Sequence, residues 1–191
     1  MAQNTDTKVI TGTVRLSYSH IWEPYAANDG QEKKFTCSLI IPKSDKTTIG
    51  KIQKAIEAAK QAGLARLGGT IPKNMKYPLR DGDSDETKAD DPSYENSYFV
   101  NASSKTRPGI VDRYLQPIND QDLVYSGCYV RASINFYAFN SNGNRGIACG
   151  LNNILKVKDG PYLGGRASAD ADFKDEIIND DEDDDLDDLL G

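Results

Sequence analysis

Residues 124–139 read VYSGCYVRASINFYAF, and from Tyr129 onward they alternate with a two-residue period. Val130, Ala132, Ile134, Phe136 and Ala138 fall on one side, and Tyr129, Arg131, Ser133, Asn135 and Tyr137 on the other. Successive strand side chains point to opposite faces, so this is a strand with one apolar face for a core. The other face carries two tyrosines and an arginine. Unpaired bases stack on such rings, and an arginine between them can meet a phosphate. Taken alone, the strand is better read as an ordinary one whose tyrosines pack under a neighbouring loop, because β-propensity by itself enriches tyrosine. The rest of the chain shifts that reading.

A chain of 191 residues is long enough for one domain with a real core and hardly long enough for two. The hydrophobic content, 38%, is lean, so part of the chain is expected to stay unpacked. Cys37, Cys128 and Cys149 include no C-x-x-C pair and are odd in number. This argues against a disulfide framework or a cysteine zinc site. Cys37 and Cys149 lie in apolar runs and read as core residues. No apolar run approaches the ~20 residues of a spanning helix, and the polar start MAQNTDTK has no signal-peptide core. A soluble, cytoplasmic protein is expected.

The net charge of −6 hides a division. Residues 170–191 hold 12 acids and one lysine, a net of −11. The rest holds 17 acids and 22 bases, a net of +5. A mildly basic body therefore carries an acidic tail, assigned to residues 167–191. The tail has too few apolar groups to offset the cost of ordering, so it is expected to be disordered.

Along the body, residues 9–18 alternate, with Ile10, Val14, Leu16 and Tyr18 assigned to one side and Thr11, Thr13, Arg15 and Ser17 to the other. Residues 21–31 read as a loop with a turn at Asn28-Asp29-Gly30. Residues 33–41 form a second strand, with Phe35, Cys37, Leu39 and Ile41 on one face. Ser44 or Asp45 caps a helix whose Ile49, Ile52, Ile56 and Ala59 share a side, and Gly68-Gly69 ends it. Residues 70–97 are polar and turn-rich, a long insertion of the kind that is functional or mobile. Short strands are expected at 98–102 and 110–115, with a basic loop between them. An Asn/Gly turn at 140–144 joins the tyrosine-bearing strand to 146–158 as a hairpin. The class is β-dominant α+β. The pattern suits an elaborated oligonucleotide-binding (OB-like) five-stranded barrel, with one main helix and long loop insertions, over residues 1–166. In that fold the face of strands 2 and 3 and the loops 1–2 and 4–5 hold the ligand. The usual helix lies between strands 3 and 4, whereas here it follows strand 2, so the barrel is elaborated or a strand has escaped notice.

No catalytic constellation emerges. GLARLGGT at 63–70 matches a phosphate loop except where Gly69 replaces the lysine, and it ends a helix rather than starting one. The run from Asp81 to Glu86 opens like a calcium loop but has Glu86 and Pro92 where glycine and glutamate belong. Asp81, Asp83 and Asp85 could hold the magnesium of a nuclease, which normally recruits further acids from strands that here offer almost none. His20, the only histidine, has no nucleophile motif near it. No metal or cofactor is expected.

What remains is aromatic and basic. Tyrosine occurs ten times against five phenylalanines, and many bases lie near turns beside rings. The candidate nucleic-acid contacts are Arg15, Trp22, Tyr25, Lys33, Phe35, Tyr77, Arg80, Lys105, Arg107, Tyr129, Arg131, Tyr137 and Arg145. A basic groove with such rings binds single strands with little sequence preference. The acidic tail can compete for that groove. Its end, with Asp183, Asp184, Asp185, Leu186, Asp187, Asp188, Leu189 and Leu190, forms a short amphipathic motif for a partner's basic-rimmed apolar pocket. Two other readings stay open: a nuclease using Asp81, Asp83 and Asp85, and a structural or interaction module whose tyrosines form a subunit interface.

Several segments together carry a family resemblance: VRLSYSHIWEP (14–24), LIIPKSD (39–45), PLRDGD (78–83), YFVNASS (98–104), the stretch at 124–139, and GIACGLNN (146–153). Over residues 9–166 the chain resembles the small single-stranded-DNA-binding proteins of bacteriophages. The resemblance implies an OB fold, sequence-tolerant binding of single-stranded DNA (with RNA left open), and a non-enzymatic role in phage replication or recombination in the host cytoplasm. It also implies replication or recombination proteins as partners of the tail. It supplies no residue-level DNA site.

Overall fold

The structure is a computed structural model that describes residues 5–163 and position 173. The acidic tail assigned to 167–191, and with it the motif from Asp183 to Leu190, lies outside the described residues. Eight strands and one helix follow in the order β1 Lys8–Ile10, β2 Val14–Tyr25, β3 Lys34–Pro42, α1 Lys46–Ala62, β4 Arg80–Asp81, β5 Ser97–Ser104, β6 Gly109–Val111, β7 Tyr129–Ser141 and β8 Asn144–Lys158.

Five strands close on themselves. The neighbours run β7-β2-β3-β5-β8, and β8 pairs again with β7. All these pairs are antiparallel except β5 with β8. Counted in chain order, the ring runs first-second-third-fifth-fourth, which is the expected OB-like arrangement. The helix follows the second ring strand, as the sequence pattern placed it. β1 and β6 extend the sheet at its two ends, and β4 pairs with β5.

The alternation of β7 holds along its length. Val130, Ala132, Ile134, Phe136 and Ala138 are buried, and they share the core with Leu16, Cys37, Leu39, Val100, Cys149 and Leu151. The three cysteines are free and buried, and burial pushes the Cys37 thiol up to about 12. Asp45 is the helix N-cap, accepting from the Thr48 N–H at 3.1 Å, and Ile49, Ile52, Ile56 and Ala59 are its buried face. The β7–β8 turn has Asn142 and Gly143 both at positive φ, 53° and 85°. Those two residue types fit a two-residue hairpin turn that needs φ > 0 twice.

Four expectations need correction. The strand expected at 9–18 breaks after Ile10 and changes phase. Val9, Thr11, Val14 and Leu16 are buried, while Ile10 and Tyr18 are exposed. Thr11 goes inside because its hydroxyl accepts from the Ala132 N–H at 3.0 Å and its own N–H meets the Ala132 carbonyl. The segment read as a loop from 21 is strand as far as Tyr25, held against β3 by the pair Tyr25 and Lys34. The helix stops at Ala62, capped by Gly63 through its N–H to the Ala59 carbonyl, well before Gly68-Gly69. Strand 110–115 shrinks to Gly109–Val111, because Leu115 enters the left-handed region at φ 64°.

The insertion at 70–97 has more order than its composition promised. Residues 81–96 form an arm with 3-10 turns at Glu86–Lys88 and Pro92–Tyr94, each with an aspartate N-cap. Tyr94 is fully buried against Ile40 and Phe99, in a second cluster outside the ring. Its hydroxyl donates to the Ser38 hydroxyl at 3.0 Å. The arm folds back because this one ring finds both an apolar bed and a polar partner. A side chain at Gly82, at its root, would run into the Tyr94 carbonyl.

Candidate nucleic-acid interface

The outer face of β2, β3 and β5 is organised in three cross-strand rows. Cys37, Leu39 and Ile41 point inward, so Thr36, Ser38 and Ile40 point outward. Directly opposed residues share a side of the sheet. The rows are therefore Arg15–Ile40–Phe99, Ser17–Ser38–Asn101 and His20–Thr36–Ser103. The arm covers Ile40, Phe99, Ser17 and Ser38, all buried. Asn101 and the third row are left outside it.

The third row floors an open groove of about 540 Å³, lined by Tyr25, Ala26, Ala27, Gln31, Glu32, Lys34, Thr36 and Ser103. At one end the Tyr25 and His20 rings stack, centroids 4.0 Å apart and 7° from parallel. Tyr25 is 46% exposed. Burial lowers the His20 pKa from its usual 6.5, so the ring is neutral at pH 7. Lys105 stands near Glu32 at 3.5 Å with both side chains mostly exposed, an ion pair weak enough to exchange for a phosphate. The groove thus joins a flat aromatic platform, polar strand side chains and flexible cations.

The arm is fastened by charge. Lys43 Nζ lies 2.9 Å from Asp81 and 2.7 Å from Asp83. Arg80 donates twice to Asp85, at 2.6 and 2.9 Å. The guanidinium, with the Thr87 hydroxyl, holds the Asp85 carboxyl at about 2. Asp83 also accepts from the Asn96 N–H at 2.8 Å. Using Asp81, Asp83 and Asp85 as metal ligands would mean displacing Lys43 and Arg80. Among the described residues no group of three His, Cys, Asp or Glu is placed to hold a metal ion.

The residues singled out from the sequence fall into separate places. Tyr25 lines the groove, with Lys33 and Lys105 close to it in the chain. Phe35 is half-buried on the core-facing side of β3. Tyr129, Arg131 and Tyr137 share the outward face of β7, as the alternation required. Arg131 donates to the Thr11 carbonyl at 3.0 Å. Tyr129 lies between two cations, Arg15 at 5.7 Å and Lys158 at 4.9 Å from its centroid. Arg15 itself donates to the Gly127 and Pro161 carbonyls, at 3.1 and 2.7 Å. Trp22 donates from Nε1 to the Val124 carbonyl at 3.0 Å, with the Arg107 guanidinium 5.0 Å from its ring. Tyr77 sits near Lys60, and Arg145 donates to the Leu67 carbonyl at 2.9 Å, both beside the end of α1. Arg80 is taken by Asp85. Sequence reasoning passed over His20, Lys34, Thr36, Asn101 and Ser103. Only the register of three strands brings these together.

After β8 the chain crosses this side of the molecule. Tyr162 stacks on Tyr125 at 4.2 Å, the Leu163 N–H donates to the Ser126 carbonyl, and Leu163 packs on Ile40, Tyr94 and Phe99. The described body therefore ends beside the arm.

A family model described as Enterobacter phage Enc34, ssDNA-binding protein, matches residues 7–186. Protein p50 of Acyrthosiphon pisum secondary endosymbiont phage 1 is 31% identical over 176 residues, covering 88% of this chain and 93% of that protein. Two solved structures are similar, both of the single-stranded DNA-binding protein from bacteriophage Enc34 and both 27% identical. The C-terminal truncation has a TM-score of 0.71, over 82% of this chain and 88% of that one. The complex with ssDNA has a TM-score of 0.67, over 83% and 90%.

Proposed function

The chain belongs to the Enterobacter phage Enc34 ssDNA-binding protein family, and on that premise we propose that it is a non-enzymatic protein that binds single-stranded DNA without sequence preference. It coats and protects exposed strands during phage replication or recombination in the host cytoplasm. One observation carries the location of the site. The His20–Tyr25 stack and the Thr36–Ser103 row form an open groove on the second and third ring strands, beside the first–second loop. OB folds hold oligonucleotides on that face and loop. Each base stacked on a ring contributes about 1–3 kcal/mol. Lys34 and Lys105 supply phosphate contacts without base readout.

The acidic tail modulates this binding and recruits replication or recombination proteins. What supports the first part is the exit of the chain at Leu163, beside the arm and the DNA face. Residues 170–191, net −11, start a few residues further on. They compete with phosphate for the same cations.

Titration of the full chain with oligo-dT at several salt concentrations tests the reading. The expected log–log slope is about −0.7 for each phosphate neutralised. Duplex DNA of the same length binds more weakly. Removal of residues 170–191 raises affinity at low salt and changes little at high salt, where the tail is screened. Equal affinity for duplex and single strand would overturn the reading.

A further inference from the structure

The pairing of β2 with β3 holds one irregularity on the DNA face. Ser17 faces Ser38, and the next pair is His20 with Thr36. Three steps along β2 match two along β3, so β2 carries an extra residue. Such bulges re-aim a side chain and recur beside functional sites. Here the bulge contains Tyr18, at φ 43° in the left-handed region. A bulky residue is an outlier there, and glycine or asparagine would sit with less strain. Simple alternation would send Tyr18 inward with Leu16. The bulge instead leaves its ring 55% exposed on the outside. Strain of this kind persists where the surroundings enforce it, and it clusters at binding sites.

The arm approaches the same ring from the other side. Lys88 Nζ lies 4.2 Å from the Tyr18 centroid, 4.9 Å from Tyr94 and 5.7 Å from Phe99. Residues 81–96 contain seven acids, and Lys88 is their one base. Lys43 and Arg80, which anchor the arm, are held by aspartates. No ion pair to a carboxylate engages Lys88 among the described residues. Its charge is bedded on rings, which leaves its donors available to an anion. Elsewhere the arm repels phosphate, so an approaching backbone is steered to this point.

We propose that Tyr18 and Lys88 form a second nucleotide subsite: a base stacks on Tyr18, and its phosphate meets the Lys88 ammonium. Tyr18 is two residues from His20 along β2, about 7 Å at strand rise. One DNA strand can therefore pass from the His20–Tyr25 platform to this one. The subsite rests on the reading of the chain as a single-strand binder and adds to it. It assigns the arm the task of fixing where the backbone lies.

The test titrates the full chain and four variants with oligo-dT across a salt series. Tyr18→Gly relieves the left-handed strain and removes the ring. Its affinity falls about 5- to 150-fold, the loss of one base–ring stack, with an unchanged salt slope and a thermal midpoint that does not drop. Tyr18→Phe keeps the ring and stays within about twofold of wild type. Lys88→Gln flattens the log–log slope by about 0.7, one phosphate fewer, and Lys88→Arg restores it. Wild-type binding with either Tyr18→Gly or Lys88→Gln indistinguishable from it, in affinity and slope, overturns the subsite and leaves the broader reading standing. A wild-type chain that ignores oligo-dT overturns both.

Discussion

The outward face of β7 and the outward face of β2, β3 and β5 look alike in composition and differ in what their polar groups already do. On β7, Arg131 is spent on the Thr11 carbonyl, and Tyr129 is flanked by Arg15 and Lys158 where the chain after β8 passes over it. Arg15 donates to two backbone carbonyls. These contacts satisfy backbone groups of the segments that cross β7, so they stabilise the fold. On the other face, the His20–Tyr25 stack opens onto solvent, and Lys88 rests on rings without a carboxylate. A ring and a cation in the right alternation are therefore not yet a binding site. The deciding property is whether their donors and faces are still free, and that is set by segments distant in sequence.

The largest difference between the faces is best exposed by first changing the inside of β7. Phe136 is 1% exposed in the core, and Phe136→Ala is expected to cost about 3–5 kcal/mol of stability by denaturant unfolding. Next in size is the contrast between exposed tyrosines. Tyr25→Ala weakens oligo-dT binding by about 1–3 kcal/mol with stability almost unmoved. Tyr137→Ala, on a ring 39% exposed on β7, changes affinity by less than about 0.5 kcal/mol. Comparable losses at both positions would erase the distinction drawn between the faces. The smallest effect is in the pH response. His20 is neutral in the free protein because burial lowers its pKa from 6.5. Nearby phosphate favours the protonated ring, so binding takes up a proton. Affinity then rises as pH falls from about 7 towards 5, by less than about tenfold, and His20→Gln abolishes the rise.

Much of this fold was legible. β7 could be read residue by residue because one of its faces is buried along its whole length, which forces strict alternation. The helix start and the hairpin turn were legible because Asp45, Asn142 and Gly143 have local physical roles. Position 18 was not legible. A single bulged residue reverses the phase of everything before it, and no propensity marks the bulge, since tyrosine is disfavoured at positive φ. The arm hid for a different reason. Among its many acids only Tyr94 reports packing, and its partners Ile40, Phe99 and Ser38 lie on two other strands. The DNA face was half visible. Tyr25, Lys33 and Lys105 stood out as rings and cations near turns, whereas His20, Thr36 and Ser103 acquire meaning only from register.

The central claim is that DNA lies across β2, β3 and β5, and photo-cross-linking tests it most directly. The full chain is irradiated with an oligo-dT carrying bromodeoxyuridine, digested and mapped by mass spectrometry. The account predicts adducts at Tyr18, His20 or Tyr25 that disappear when unlabelled oligo-dT is added. Adducts concentrated at Tyr129 and Tyr137, with residues 18–25 unmodified, would contradict it.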